Sequence, residues 1–464
     1  MADKPNDLTA QHPLARELRT QAPAGWTRVD AEIAMTVADE TAQIVYTVGT
    51  QQIPAPPTEP LLAHVRKLRA DAVGSARGPW WRLLISMTAS DEITVDYDYG
   101  AEPFPHEQIF EPEAYRADLV TYPRKQVPVW LAAYTLHGDR QQRTPQQAAE
   151  QARSDRAEQV WAVHADNEFP PFPVMWARWA TLSAAFVAAK SQWGPRLLPW
   201  TGIFEGSARS GSTLHVLPGG RAVLSGGVWN APTLDAAYNG DAALPRLYAG
   251  APDWVANPVL NPRASTGMLS FCYWWEGGRW YRGESPGAEQ CATAVPGVWT
   301  ADIVANIVAR LVEDSPGAEI SQRAEALVAA AEAGVVTRET LGAVFDGDRF
   351  DIDGALYQLG LAGLVSTLPE QLPEDAAIGR VRDYIVTRGL DTTGYPLSEL
   401  TAHRLSTGWM VYVPVPDGEI SIGRAIFYVA DDGVLEQSSS SVAPGEYIEG
   451  FEQRFNDRHR PLVR

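Results

Sequence analysis

Residues 80–100, WWRLLISMTASDEITVDYDYG, read as two strands joined by a short polar turn. Trp81, Leu83, Ile85 and Met87 alternate with Arg82, Leu84, Ser86 and Thr88. After Ala89-Ser90-Asp91, the residues Ile93, Val95, Tyr97 and Tyr99 alternate with Glu92, Thr94, Asp96 and Asp98. Successive side chains of a strand point to opposite faces, so a period of two predicts one packed face and one wet face. The apolar face of the second strand ends in two tyrosines, and its wet face carries Glu92, Asp96 and Asp98. An acidic, aromatic strand is a candidate docking surface. It is not, by itself, a catalytic site.

Upstream, residues 8–21 fit a helix with Thr9 as cap and Leu14 and Leu18 on one side, ended by Pro23-Ala24-Gly25. Residues 26–37 alternate again, Val29, Ala31, Ile33, Met35 and Val37 against Arg28, Asp30, Glu32, Ala34 and Thr36, and 43–48 give a further strand. Pro54, Pro56 and Pro57 are expected to stop either kind of element. From 60 to 73, Leu61, Val65, Leu68 and Ala72 form a helical stripe. Helix, two strands, helix, two strands and an aromatic tail through Trp130 predict an α+β layer, an antiparallel sheet with helices packed on one face.

Downstream, residues 141–171 read as a polar linker that becomes helical after Pro145. Residues 172–313 are tryptophan-rich, with hairpins over 213–225 and 268–282 and a helix capped by Thr300 that turns Ile303, Ile307 and Leu311 inward. Trp193, Trp200, Trp229, Trp254, Trp274, Trp275 and Trp280 suit core or interface anchors better than a sugar platform. Residues 314–375 look helical, with Thr337 capping a second helix there, and over 315–375 eleven acids stand against three bases, a balance of −8. Such a run reads as a solvated face. Residues 376–464 give a helix, strands at 407–413, 425–429 and 434–440, and a closing helix with Tyr447, Ile448, Phe451 and Phe455 inward. The expected order is therefore a domain over 1–140, a linker over 141–171, a tryptophan-rich α+β domain over 172–313, an acidic helical segment over 314–375 and an α+β domain over 376–464.

Two resemblances follow from these residues. Gly25-Trp26-x-Arg28-x-x-Ala31-Glu32, Ile44-Val45-Tyr46, Leu68-Arg69, Trp81 and Ile93-x-Val95-Asp96-Tyr97-x-Tyr99 together resemble the YezG-like antitoxin family over roughly residues 12–135. The proline-rich link at 53–60 and the Pro103-Phe104-Pro105-His106 insertion depart from that family. Gly408-Trp409, Gly423-Arg424-Ala425, Asp432-Gly433 and Pro444-x-Glu446-Tyr447-Ile448 are similar to the YrhB-like immunity domain. Both resemblances imply an immunity protein that neutralises a toxin secreted against neighbouring bacteria. Glu92, Asp96, Asp98 and Glu102 are then expected to meet cationic toxin residues, with Tyr97, Tyr99 and Phe104 anchoring the centre.

Composition narrows the remaining choices. A chain of 464 residues exceeds what one core usually supports. A formal charge of −19 argues against nucleic acid or an anionic membrane surface as partner. The chain has no apolar run of membrane-spanning length and a polar N-terminus, so a cytoplasmic protein is expected. Cys272 and Cys291 read as two buried thiols. The literal G-x-S-x-G at 283–287 puts Pro286 where a nucleophile elbow needs a backbone N–H. The acidic run at 346–354 lacks the first and twelfth carboxylates of a calcium loop, and the eight histidines show no metal spacing. No enzyme, metal or cofactor is expected. The expected partner is a cognate toxin domain; the alternative is a carbohydrate-binding or scaffold protein built on the tryptophan-rich segment.

Overall fold

A computed structural model describes residues 11–74, 77–206, 209–366, 369, 371–415 and 423–459. The chain forms two compact units, one of residues 1–172, 193–195 and 201–296, the other of 173–192, 196–200 and 297–464. The expected 1–140 domain, its linker and most of the tryptophan-rich segment thus share one unit. Both units are α+β, with antiparallel sheets.

The first unit opens with α1 (Pro13–Thr20), β1 (Arg28–Met35), β2 (Glu40–Val48), β3 (Gln51–Ala55), α2 (Glu59–Asp71), β4 (Arg82–Thr88) and β5 (Ile93–Asp98). The sheet order is β3-β2-β1-β4-β5. The wet/dry alternation read from sequence explains why it closes on one side only. Val29, Ala31 and Ile33 of β1, Ile44 and Tyr46 of β2, and Leu83, Ile85 and Met87 of β4 bury against Leu14 and Leu18 of α1 and Leu61, Val65 and Leu68 of α2. Each large apolar side chain so buried contributes about 1.5–3 kcal/mol. The Thr58 hydroxyl caps α2 by accepting from the Leu61 N–H, and the His12 imidazole does the same for Leu14 at the start of α1. Thr9 lies outside the described residues.

Two local expectations are corrected here. Pro54 does not end strand structure: it sits inside β3, opposite Val45. β3 is the outermost strand, and an edge strand needs ladder donors from only alternate residues, which accommodates a proline. Trp81 does not continue the Leu83-Ile85-Met87 stripe. Trp80 takes the position in that core, while Trp81 packs with Phe104, Tyr115 and Trp130 in a second cluster beyond the start of β4.

Two further helices, α3 (Pro112–Thr121) and α4 (Val129–Leu136), build that second cluster, and the linker helix begins at Pro145 under a Thr144 capping box. Within this unit a second sheet runs through Val163–His164, Arg279–Arg282, Phe271–Glu276, Arg221–Gly227, Gly211–Leu217 and Thr201–Glu205, in that spatial order. Gly277 and Gly278, at φ 58° and 80°, make the two-residue turn that joins its central hairpin. The sheet joins the first layer through α4 and the Pro232–Tyr238 helix, where Val129, Ala132 and Ala133 bury against Ala231, Leu234 and Tyr238.

In the second unit, the helices Ala301–Val312, Ala318–Ala333, Arg338–Val344 and Ile352–Leu361 follow one another. Thr300 and Thr337 cap as expected, and Asp351 caps the last by accepting from the Gly354 N–H, which gives the acidic turn a structural role. Val304, Ala305, Val308 and Ala309 form the buried stripe of the first helix, not Ile303, which is 40% exposed. Both stripes are apolar at helical spacing, so periodicity alone does not choose between them. The final sheet runs Thr401–Leu405, Gly408–Tyr412, Ala425–Ala430, Leu435–Ser439. Phe427 and Val429 face the Glu374–Arg388 helix, while Tyr428 and Ala430 face Phe451 and Phe455 of Pro444–His459, so this sheet is covered on both faces. No helix among the described residues is long and apolar enough to cross a membrane.

Candidate functional site

The outer face of the first sheet is set by strand register. Gln43, Glu32, Leu84 and Asp96 form one row across β2, β1, β4 and β5; Val45, Asp30, Ser86 and Thr94 form the next. The row containing Ala34, Arg82 and Asp98 closes the end nearest α3. There Arg82 is buried, donating to Asp98 Oδ2 at 2.9 Å and to the Gln108 side chain, whose amide in turn donates to Glu32. The remainder is open: Asp96 is exposed, and Asp30 and Glu32 are partly so. Acidic groups on this face outnumber basic ones, with Asp30, Glu32, Asp96 and Asp98 against Arg28 and Arg82.

The seven residues expected to dock a partner do not converge. Asp96 and Asp98 share the outer face. Glu92 and Glu102 are exposed in the turns flanking β5. Tyr97 turns the other way, onto the inner core, with its ring 6.3 Å from that of Trp80. Phe104 is corrected outright: at 1% exposure it is a core side chain, 5.0 Å ring to ring from Trp130. The same period of two that made the strand conspicuous sends its carboxylates and tyrosines to opposite sides. One flat partner surface therefore meets the carboxylates without the tyrosines.

Tyr99 leads to a different feature. Beyond β5, Gly100 adopts φ 73°, and its carbonyl accepts from Trp130 Nε1 at 2.9 Å. This fixes Tyr99 at the wall of a cleft of about 550 Å³ lined also by Arg77, Trp81, Arg124, Lys125, Trp229 and Asp235. The Arg77 guanidinium lies over the Tyr99 ring at 4.5 Å. The loop between α3 and α4 carries Arg124 and Lys125, and its far end is pinned by two hydrogen bonds between Val127 and the Asn239 side chain, 3.1 and 2.7 Å.

Beneath the cleft lies a buried ion network. Asp118 is fully buried and accepts from Arg69 Nη2 at 2.7 Å, Trp81 Nε1 at 3.0 Å and the Val37 N–H at 3.0 Å, with Arg124 Nη2 at 3.5 Å. Arg124 also donates to the carbonyls of Arg77 and Pro79 and stacks 3.5 Å over Trp81. Two guanidiniums thus share one carboxylate. Burial lowers the Arg124 pKa to about 10, and its Nε has no hydrogen-bond partner among the described residues. Sequence reasoning passed over this site. Its one local signal was the proline-bounded basic loop Pro123-Arg124-Lys125-Gln126-Val127-Pro128, in a chain with lysine at only four positions.

Elsewhere, the Ser285 hydroxyl bridges the N–H and C=O of Cys272 at 2.9 Å each, a structural staple. Cys272 and Cys291 are free, buried thiols whose pKa values burial raises, that of Cys291 to about 12. Trp274, Trp275 and Trp280 are core residues, which removes them from any sugar platform. Among the described residues no group of three or more His, Cys, Asp or Glu is placed to hold a metal ion.

No protein-family model matches the chain, and no curated protein matches it significantly. The likeness to two immunity families rests on the residues quoted above.

Proposed function

We propose that this is an immunity protein that binds a cognate bacterial toxin domain in the cytoplasm and blocks it by occlusion, without chemistry of its own. The observation that carries this reading is the open outer face of the first sheet, where the Glu32-Leu84-Asp96 row sets carboxylates on either side of an apolar centre. Such a face suits a cationic protein surface: the charges steer encounter, and the apolar middle supplies area to bury. The net charge of −19 and the two family resemblances support the same reading.

The test is co-expression with candidate toxin domains, starting with any that neighbouring genes encode. The wild-type protein is expected to restore growth and form a complex whose association slows at least about tenfold when salt rises to about 0.5 M. Asp30→Lys with Asp96→Lys is expected to weaken protection while leaving the fold intact. Toxicity that the wild-type chain does not relieve, or protection indifferent to both substitutions, overturns the reading.

A further inference from the structure

We infer that the cleft beside Tyr99 is a binding site for a small planar organic anion, a role separate from protein docking on the acidic face. Three positive side chains, Arg77, Arg124 and Lys125, line it against one carboxylate, Asp235. That carboxylate is already engaged, accepting from Asn239 Nδ2 at 2.7 Å and Gln126 Nε2 at 3.3 Å. The surplus is positive in a protein that carries −19 overall.

Of these cations, Lys125 is the one left uncommitted among the described residues. The Arg124 side chain is 3% exposed and shares Asp118 with Arg69, and its Nε has no hydrogen-bond partner among the described residues. Lys125 is exposed and makes no hydrogen bond or ion pair among the described residues. Pro128 and Val129, the N-cap and first residue of α4, lie in the same wall, adding the positive end of a helix. Trp229 supplies the flat apolar surface, its backbone held by a hydrogen bond from its N–H to the Ser210 hydroxyl at 3.1 Å. A volume of about 550 Å³ admits a ligand with a ring and a charged group, not merely an ion. The anion meets Lys125, with Arg77 and the buried Arg124 adding to the local positive charge, while the ring packs on Trp229.

Calorimetry on the full chain tests this with four probes. AMP and 1-naphthoate carry a ring with a phosphate or a carboxylate; adenosine carries a ring alone; inorganic phosphate carries charge alone. Saturable binding of AMP or 1-naphthoate, tighter than either half-probe, is expected, and which of the two binds assigns phosphate or carboxylate. Lys125→Glu and Trp229→Ala are each expected to weaken it about tenfold or more. Asp96→Lys, on the acidic face, is expected to leave it unchanged, which separates this site from toxin docking. Arg124→Met risks unfolding because Arg124 contacts Asp118, so the exposed Lys125 carries the test. Planar anions that bind no better than adenosine, or binding that survives Lys125→Glu, overturn the assignment.

Discussion

The acidic sheet face and the cationic cleft lie in one compact unit yet hold their charge in opposite ways. On the face, carboxylates stand in or near water and are balanced by few partners: Asp30 pairs with Arg28, and Asp96 makes no ion pair among the described residues. At the cleft, Arg69, Arg124 and Asp118 are withdrawn from water and satisfied mostly by one another, by Trp81 and by backbone carbonyls. Exposed charge contributes little to folding and is free to steer a partner; buried charge is committed to folding before any ligand arrives. The same residue type therefore has different consequences in the two regions.

The largest effect expected is at Asp118. Asp118→Ala strands two buried guanidiniums, the Trp81 indole N–H and the Val37 N–H, and is expected to cost about 3–5 kcal/mol. Urea denaturation followed by tryptophan fluorescence measures it. A loss under about 1 kcal/mol contradicts the contrast between buried and exposed charge.

Alkaline pH sharpens the comparison next, because it titrates buried groups of this unit. Burial raises the pKa of Tyr115, in the cluster beside the cleft, and of Tyr46, in the inner core, to about 12 each. Their contribution is complete below the unfolded tyrosine pKa of about 10 and is lost as pH rises through about 12. Arg124 runs the other way: its folded pKa of about 10 lies below the unfolded value, so its burial penalty eases above about pH 10. Two tyrosines against one arginine give a net loss, and burial of Tyr248 and Tyr273 deepens it. The denaturation midpoint is expected to fall between about pH 10 and about pH 12, with Tyr115→Phe blunting the fall. A midpoint that rises across that window refutes the balance.

These two effects also mark what the sequence made legible. The acidic face was readable because strand alternation is local: Asp96 and Asp98 lie two residues apart and must share a side. The hairpins, the helix caps at Thr300 and Thr337 and the inward Phe451 and Phe455 were readable for the same reason. The Asp118 network was not, since its partners Val37, Arg69, Trp81 and Arg124 come from four separate elements and no short-range pattern links them. Phe104 was misread because an aromatic residue between prolines suits an exposed loop as well as a core anchor. Only packing against Trp81, Tyr115 and Trp130 decides it.

The smallest effects separate two neighbours on one strand. Asp98 receives Arg82 Nη1 at 2.9 Å and the Gly100 N–H at 2.8 Å, whereas Asp96 faces water. Asp98→Asn is expected to cost about 1 kcal/mol of stability, and Asp96→Asn less than about 0.5 kcal/mol. Each removes one negative charge from the same face, so each is expected to slow association with a cationic toxin to a similar degree. Stability then distinguishes the pair while association rate does not. If only Asp96→Asn slows association, the partner reads a particular exposed carboxylate and not the field of the whole face. If neither does, the acidic face is a solvated surface and the docking site lies elsewhere on the chain.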